Sequence, residues 1–159
     1  LYASAYSEAT VDKVWPRKDL NAAKLFFVSM LETCWWENKN GKFVRHILPI
    51  QAQVAPVQGI VLTDVNADGH TDLVLAGNKL GFEVETNRCD SGNGCVLLGD
   101  GKGGFTWLDN VKHGFWAIRE ARDLAMLQNP EHKPIFVVSN NNNTAQAFQL
   151  KKAATIAVQ

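Results

Sequence analysis

Short apolar runs separated by glycine, asparagine and aspartate dominate this chain, and few stretches hold a helical period. Runs of four to eight apolar or β-branched residues bounded by turn formers predict strands. Leu31–Glu37 and Lys42–Leu48 flank Asn38-Lys39-Asn40-Gly41, a tight turn of the kind that joins hairpin strands, and Pro49 ends the return strand. Gly59–Leu62 and Leu73–Leu75 form a second pair. Cys95–Gly99 and Phe105–Leu108 flank the glycine-rich turn 100–104. Arg122–Leu127, Pro134–Asn140 and Ala145–Leu150 follow. The first thirty residues are mixed. They suggest a short helix over Ser7–Val14 with Ser7 as its cap, a turn at Trp15–Asp19 and a strand at Ala23–Val28.

Between the second pair of strands lies Asp64-Val65-Asn66-Ala67-Asp68-Gly69-His70-Thr71-Asp72. Oxygen-bearing side chains stand at positions 1, 3, 5 and 9, and a glycine at position 6 permits a sharp turn. Hard cations such as Ca²⁺ take six to eight oxygens at about 2.3–2.6 Å. The expected donors are the side chains of Asp64, Asn66, Asp68 and Asp72, with the backbone carbonyl of His70 as a fifth. An EF-hand would need a bidentate Glu at position 12. Leu75 stands there, and the flanks read as strands rather than helices. Asx-rich turns also form without an ion. Four acidic or amide groups at alternate positions would repel one another without a cation, so metal binding is the expectation.

The whole chain has 159 residues, 46% hydrophobic, with a formal net charge of zero. That length suffices for a real core. Zero charge argues against a nucleic-acid binder, which would show a basic face. No apolar run reaches the ~18 residues of a membrane span. The first residue is Leu rather than Met, which suggests a processed product or a piece of a longer protein.

Of three cysteines, Cys89 and Cys95 bracket a short flexible loop, and a disulfide between them would fit an oxidising compartment. Cys34 reads as a small buried hydrophobe. None of His46, His70, His113 and His132 stands near a Ser or Cys in a nucleophile motif, and 99–103 lacks the Gly-Lys-Ser/Thr ending of a phosphate loop. Glu83 and Glu85 read as solvated. No catalytic site is expected. Trp35, Trp36, Trp107 and Trp116 are candidates for stacking on sugar faces, although tryptophan in strands is more often packing. Asn142-Asn143-Thr144 is a glycosylation sequon in a polar loop.

Phe43 and Phe105, Gly41 and Gly103, Leu62 and Leu124, and Asn78 and Asn140 are each 62 positions apart. One ungapped offset thus aligns turns and strand pairs, which points to the blades of a propeller or a similar array. The second copy has lost the oxygen set, since Met126, Gln128, Pro130 and Pro134 stand opposite Asp64, Asn66, Asp68 and Asp72. One ion is therefore expected from the two copies, and the connection 129–134 reads as an ordinary one.

With these residues in place, Asp64–Leu73 resembles the calcium loop of FG-GAP/VCBS repeats, the blades of integrin-α-like β-propellers. Glu37–Phe43 and Leu98–Phe105 resemble that family's hairpin before the calcium loop, and Leu48–Val57 with Leu75–Asn78 is similar to C-terminal regions of large secreted bacterial VCBS-repeat proteins. The resemblance covers roughly residues 31–150. It implies an all-β fold of antiparallel propeller blades, about two and a half of them, belonging to a larger propeller or completed by other chains. It implies a calcium-loop blade over 31–92 and a degenerate blade over 93–150; residues 1–30, which match it poorly, are an N-terminal segment read either as the end of a preceding blade or as a cap, and 151–159 are a tail. The implied function is non-enzymatic: a secreted or cell-surface module for protein–protein interaction, adhesion or assembly, with structural Ca²⁺ held by Asp64, Asn66, Asp68, His70 and Asp72. Its partner would be another protein or the remaining blades. The alternative is a carbohydrate-binding, lectin-like module.

Overall fold

The fold is taken from a computed structural model that describes residues 3–83, 85–128 and 133–150. The chain divides into two compact units, Leu1–Leu31 and Glu32–Gln159.

The first unit carries three short helices, α1 (Ala3–Ser7), α2 (Val11–Val14) and α3 (Arg17–Ala22). The single helix expected over Ser7–Val14 is two, because Thr10 is extended (φ −80°, ψ 158°) and starts a new one. Ser7 does not cap it; its hydroxyl donates backwards to the Ser4 carbonyl at 2.8 Å. The turn expected at Trp15–Asp19 gives way to α3, for which Pro16 supplies the carbonyl accepting from Asp19 and Leu20. Proline is pre-set for the start of a helix. Ala23–Val28 is not a strand. Its composition suits one, but a strand needs a neighbour, and no described strand pairs with it.

The second unit is all-β in character: among its described residues, nine strands form three antiparallel sheets. The first sheet is the hairpin of β1 (Cys34–Lys39) and β2 (Lys42–Ile47). Lys39 pairs with Lys42, leaving a two-residue Asn40-Gly41 turn with positive φ at both residues. Asn-Gly favours this turn because its twist matches that of the strands it joins. The Asn38 side chain accepts from the Gly41 N–H at 2.8 Å.

The central sheet has the order β3 (Val57–Thr63), β4 (Asp72–Gly77), β5 (Cys95–Gly99) and β6 (Phe105–Leu108). β4 is buried from Asp72 through Ala76, which is why it reads as a continuous apolar run rather than an alternating one. Leu73, Leu75, Cys95 and Leu97 share one face and pack with Leu48, Ala52, Trp35 and Phe105. Val74, Ala76, Val96 and Leu108 take the other face. That face meets Leu124, Met126, Phe136, Val138 and Phe148 of the third sheet, built from β7 (Ala121–Gln128), β8 (Pro134–Asn140) and β9 (Asn143–Phe148). Val74, Val96, Leu97, Phe136 and Val138 are fully buried. Each such side chain is worth about 1.5–3 kcal/mol over its exposed state. The second unit is thus three layers with two cores. Gly59 on β3 allows a close approach, since a Cβ there would overlap the backbone of Asp123 and Leu124.

The even spacing of 62 does not carry through the ladders. Leu62 pairs with Leu73, but Leu124 pairs with Val138 rather than with Ile135. The glycine turn 100–104 joins Gly99 to Phe105 with five residues, where Asn40-Gly41 is two. It is closed by Asp100, whose Oδ1 accepts from Lys102 at 2.7 Å and Gly104 at 2.8 Å. A single turn of helix, α4 (Asn110–His113), follows β6. Asp109 caps its start, and Gly114 in the left-handed region (φ 78°) ends it. The segment 78–94 between β4 and β5 is irregular and carries an isolated bridge between Lys79 and Cys89.

Candidate metal centre

The loop between β3 and β4 is organised by its own carboxylates. Asp64 Oδ1 accepts from the N–H groups of Ala67 (2.7 Å) and Asp68 (3.2 Å), and Oδ2 accepts from Gly69 (2.8 Å). Asn66 Oδ1 accepts from Asp68 N–H at 3.1 Å, while its Nδ2 donates to Asp68 Oδ2 at 2.8 Å. Asp68 Oδ1 accepts from His70 N–H at 2.8 Å. Ala67 (φ 63°) and Gly69 (φ 87°) lie in the left-handed region, which lets the chain curl round Asp64. Asp64, Asn66 and Asp68 therefore share one tight loop, as the spacing requires.

Asp72 does something the spacing does not reveal. It is fully buried. Its Oδ2 accepts from Val65 N–H and its Oδ1 from Gly99 N–H, both at 2.8 Å, so one carboxylate ties the loop to the end of β5. Burial pushes its carboxyl above the usual range against the pull of the Gly99 and Val65 N–H groups, and the charges of Asp68 and Asp64 add to the push. At exposed Asp68 the Asn66 amide and the His70 N–H hold the carboxyl below that range. The His70 ring lies against Gly101, where a Cβ would overlap it.

The donor chemistry suits a hard cation: three carboxylates, one amide oxygen and a backbone carbonyl. A carboxylate offers about four lone-pair sites. Each carboxylate here accepts two or three bonds, fewer than those sites. Among the described residues, however, no three His, Cys, Asp or Glu side chains converge as a ready metal-binding group.

The other candidates fall as follows. Cys34, Cys89 and Cys95 are all free thiols, so the Cys89–Cys95 bridge is not formed. Cys95 points into the core, where burial pushes its thiol up to about 12, while Cys89 sits on the irregular segment opposite Lys79. Cys34 is half-buried rather than buried. Trp35 stacks on His46 (centroids 4.4 Å, interplanar 13°) and meets Phe105 edge-on. Trp36 and Trp116 are exposed and Trp107 borders on exposed. Glu83 and Glu85 are solvated as expected. Of the second connection, Met126, Gln128 and Pro134 lie in the β7–β8 ladder, whereas Pro130, with the rest of 129–132, lies outside the described residues, as does the tail 151–159.

Two buried asparagines hold backbone groups in a way the sequence does not reveal, Asn78 being there only a marker of the 62-residue spacing. Asn78 (φ 91°) donates from Nδ2 to the carbonyls of Gly92 (2.7 Å) and Ile118 (3.1 Å) and accepts from Gly92 N–H at 2.8 Å. Asn110 Nδ2 donates to the carbonyls of Gly94 and Phe115, both at 2.9 Å. Each satisfies backbone groups of irregular segments that have no ladder. An isolated asparagine closing an apolar run is the only signal the sequence offers for either.

No protein-family model matches the chain, and neither a curated protein nor a solved structure matches it. No helix among the described residues is long and apolar enough to cross a membrane.

Proposed function

We propose that the chain is a Ca²⁺-stabilised module of propeller-like β blades that serves a non-enzymatic binding or structural role in a secreted or cell-surface protein. The observation that carries this reading is the Asp64–Asp72 loop: an oxygen-only donor set on a tight turn between two antiparallel strands. The strand sequence supports the blade reading. The central sheet is a four-stranded meander, flanked by a hairpin before it and a three-stranded meander after it. Its partner is the remainder of the propeller or another protein.

An ion that binds only the folded state stabilises it by about 2.7 kcal/mol at a hundredfold excess over Kd. For a chain of this size that is a rise of roughly 5–10 °C in Tm. Thermal unfolding in Ca²⁺ and in EGTA should differ by this amount, and Asp68→Ala should abolish the difference. A Tm indifferent to both would refute the calcium reading.

A second reading, carbohydrate binding, is favoured by one cavity of about 130 Å³ in which Trp107 lies with Gln51, Asn93 and Asn110. An aromatic face beside amides suits a sugar ring. A glycan array should then give hits that Trp107→Ala removes, and a blank array would sink this alternative.

A further inference from the structure

The cavity beside Trp107 has no group of its own that titrates near neutral pH. Of its described lining residues only Cys95 is ionisable, and burial pushes that thiol up to about 12. Its wall, however, is fastened to a side chain that does titrate there. Asn93, Gly94 and Asn110 meet at the cavity, and one amide joins them. Asn110 Nδ2 donates to the carbonyls of Asn93 (3.1 Å), Gly94 (2.9 Å) and Phe115 (2.9 Å). Asn110 is buried and begins α4, the single turn that His113 ends.

Phe115 is gripped twice by that turn. Its carbonyl accepts from Asn110, and its N–H donates to His113 Nδ1 at 2.9 Å. Its ring is fully buried, meets Phe136 and Phe148 edge-on (centroids 6.2 and 4.9 Å), and lies so close to Gly94 that a Cβ there would overlap it. The cavity wall, the Phe115 backbone and α4 therefore hold one another. His113 is 3% exposed, and its Nε2 has no hydrogen-bond partner among the described residues. Accepting at Nδ1 makes the ring neutral, with its proton on Nε2. Burial disfavours the charged form, outweighing the Leu108 carbonyl and Asp109, the charged side chain that acts on the ring. A proton on Nδ1 would set N–H against N–H at Phe115 and place a charge in the core. An opened turn, with the ring in water, escapes both costs.

We propose that His113 is a proton-operated latch on this cavity. Neutral, it holds Phe115 and, through it, Asn110 in place. Protonated, it releases the 110–115 turn, the wall at Asn93 and Gly94 loses its tie, and the cavity gives up its occupant. That occupant is the uncharged sugar ring of the second reading above, on which this part of the inference rests. Neither the sugar nor the lining titrates in this range, so acid release has to come from behind the wall.

Amide hydrogen exchange of the ligand-free chain, corrected for the intrinsic pH dependence of exchange, tests the latch at about pH 7.5 and pH 5.5. A released ring with the ordinary histidine pKa of about 6.5 makes opening up to about tenfold easier at the lower pH. Peptides spanning 91–96 and 108–117 should lose protection by that factor while those of β8 keep theirs. His113→Asn, which keeps an acceptor for Phe115 but no titratable group, should remove the difference. Equal protection at both pH values, a loss shared by β8, or a variant that retains the loss would each overturn the proposal; the wild-type comparison stands even where the variant does not fold. An array of uncharged glycans, probed at the same two pH values, separates latch from ligand. Hits at the higher pH that fade at the lower support release, and hits indifferent to pH overturn it. A blank array removes the sugar reading, and the exchange result then decides the latch alone.

Discussion

The connections β3–β4 and β7–β8 begin from matched positions, Leu62 and Leu124, and then diverge. In the first, pairing stops at Thr63–Asp72 and the chain curls into an eight-residue loop held by carboxylates. In the second, the ladder runs on through Met126–Phe136 and Leu127–Ile135 to Gln128–Pro134. The difference lies in what satisfies the backbone. A polar loop with aspartate at its first position and another just past its last can bond its own N–H groups to side chains and stop pairing early. An apolar continuation has only the opposite strand to bond to, so it keeps pairing. The ionisable loop is therefore a local alternative to two-stranded ladder, and the comparison can be broken by removing what holds it.

Asp72→Ala should have the largest effect. It removes two charge-assisted bonds, each worth about 1.5–3 kcal/mol, and leaves the Gly99 N–H buried without an acceptor. Urea denaturation should show a loss of about 3–5 kcal/mol and no remaining response to Ca²⁺. Met126→Ala in the other connection, as a control, should destabilise equally with and without Ca²⁺; a variant of Asp72 that melts like wild type would dissolve the contrast. Removal of Ca²⁺ from the wild type comes next, at about 2–3 kcal/mol by the binding relation above.

The smallest effect is a pH dependence that belongs to neither connection. His113 is buried, and its Nδ1 accepts from Phe115 N–H at 2.9 Å. Burial lowers its pKa below the ordinary 6.5, against a weaker pull from the Leu108 carbonyl and Asp109. The unfolded chain then takes up a proton at a pH where the folded chain does not, so stability falls as pH drops through 6.5. Denaturation midpoints between pH 7.5 and 5.5 should show that slope, and His113→Asn, which keeps an acceptor for Phe115, should flatten it. A slope unchanged in the variant would assign it elsewhere.

Most strands were legible because their apolar runs are short and their turns carry distinctive chemistry. Asn40-Gly41 and the glycines of 100–104 name their turns outright. The position of the loop oxygens was legible for the same reason. Three things were not. Ala23–Val28 has the composition of a strand, and composition cannot say whether a neighbour is present. The equal spacing of 62 hid a shorter turn and a shifted ladder, because sequence distance does not record pairing. Asp72 read as one oxygen among four, whereas burial and the distant Gly99 N–H make it the link between two elements. The bonding role of buried Asn78 was not legible for a similar reason: its partners, Gly92 and Ile118, lie far along the chain.

That shared carboxylate has a consequence for how the chain tolerates change in length. Surface connections ordinarily accept inserted residues, and the exposed stretch 85–88 within the segment 78–94 has that character. The Asp64–Thr71 loop is largely exposed yet does not, because Val65 and Gly99 hold opposite oxygens of one Asp72 side chain. A residue added before Asp72 would shift that grip and misplace the end of β5 and the glycine turn beyond it. The loop behaves, in this sense, as interior structure that happens to face water.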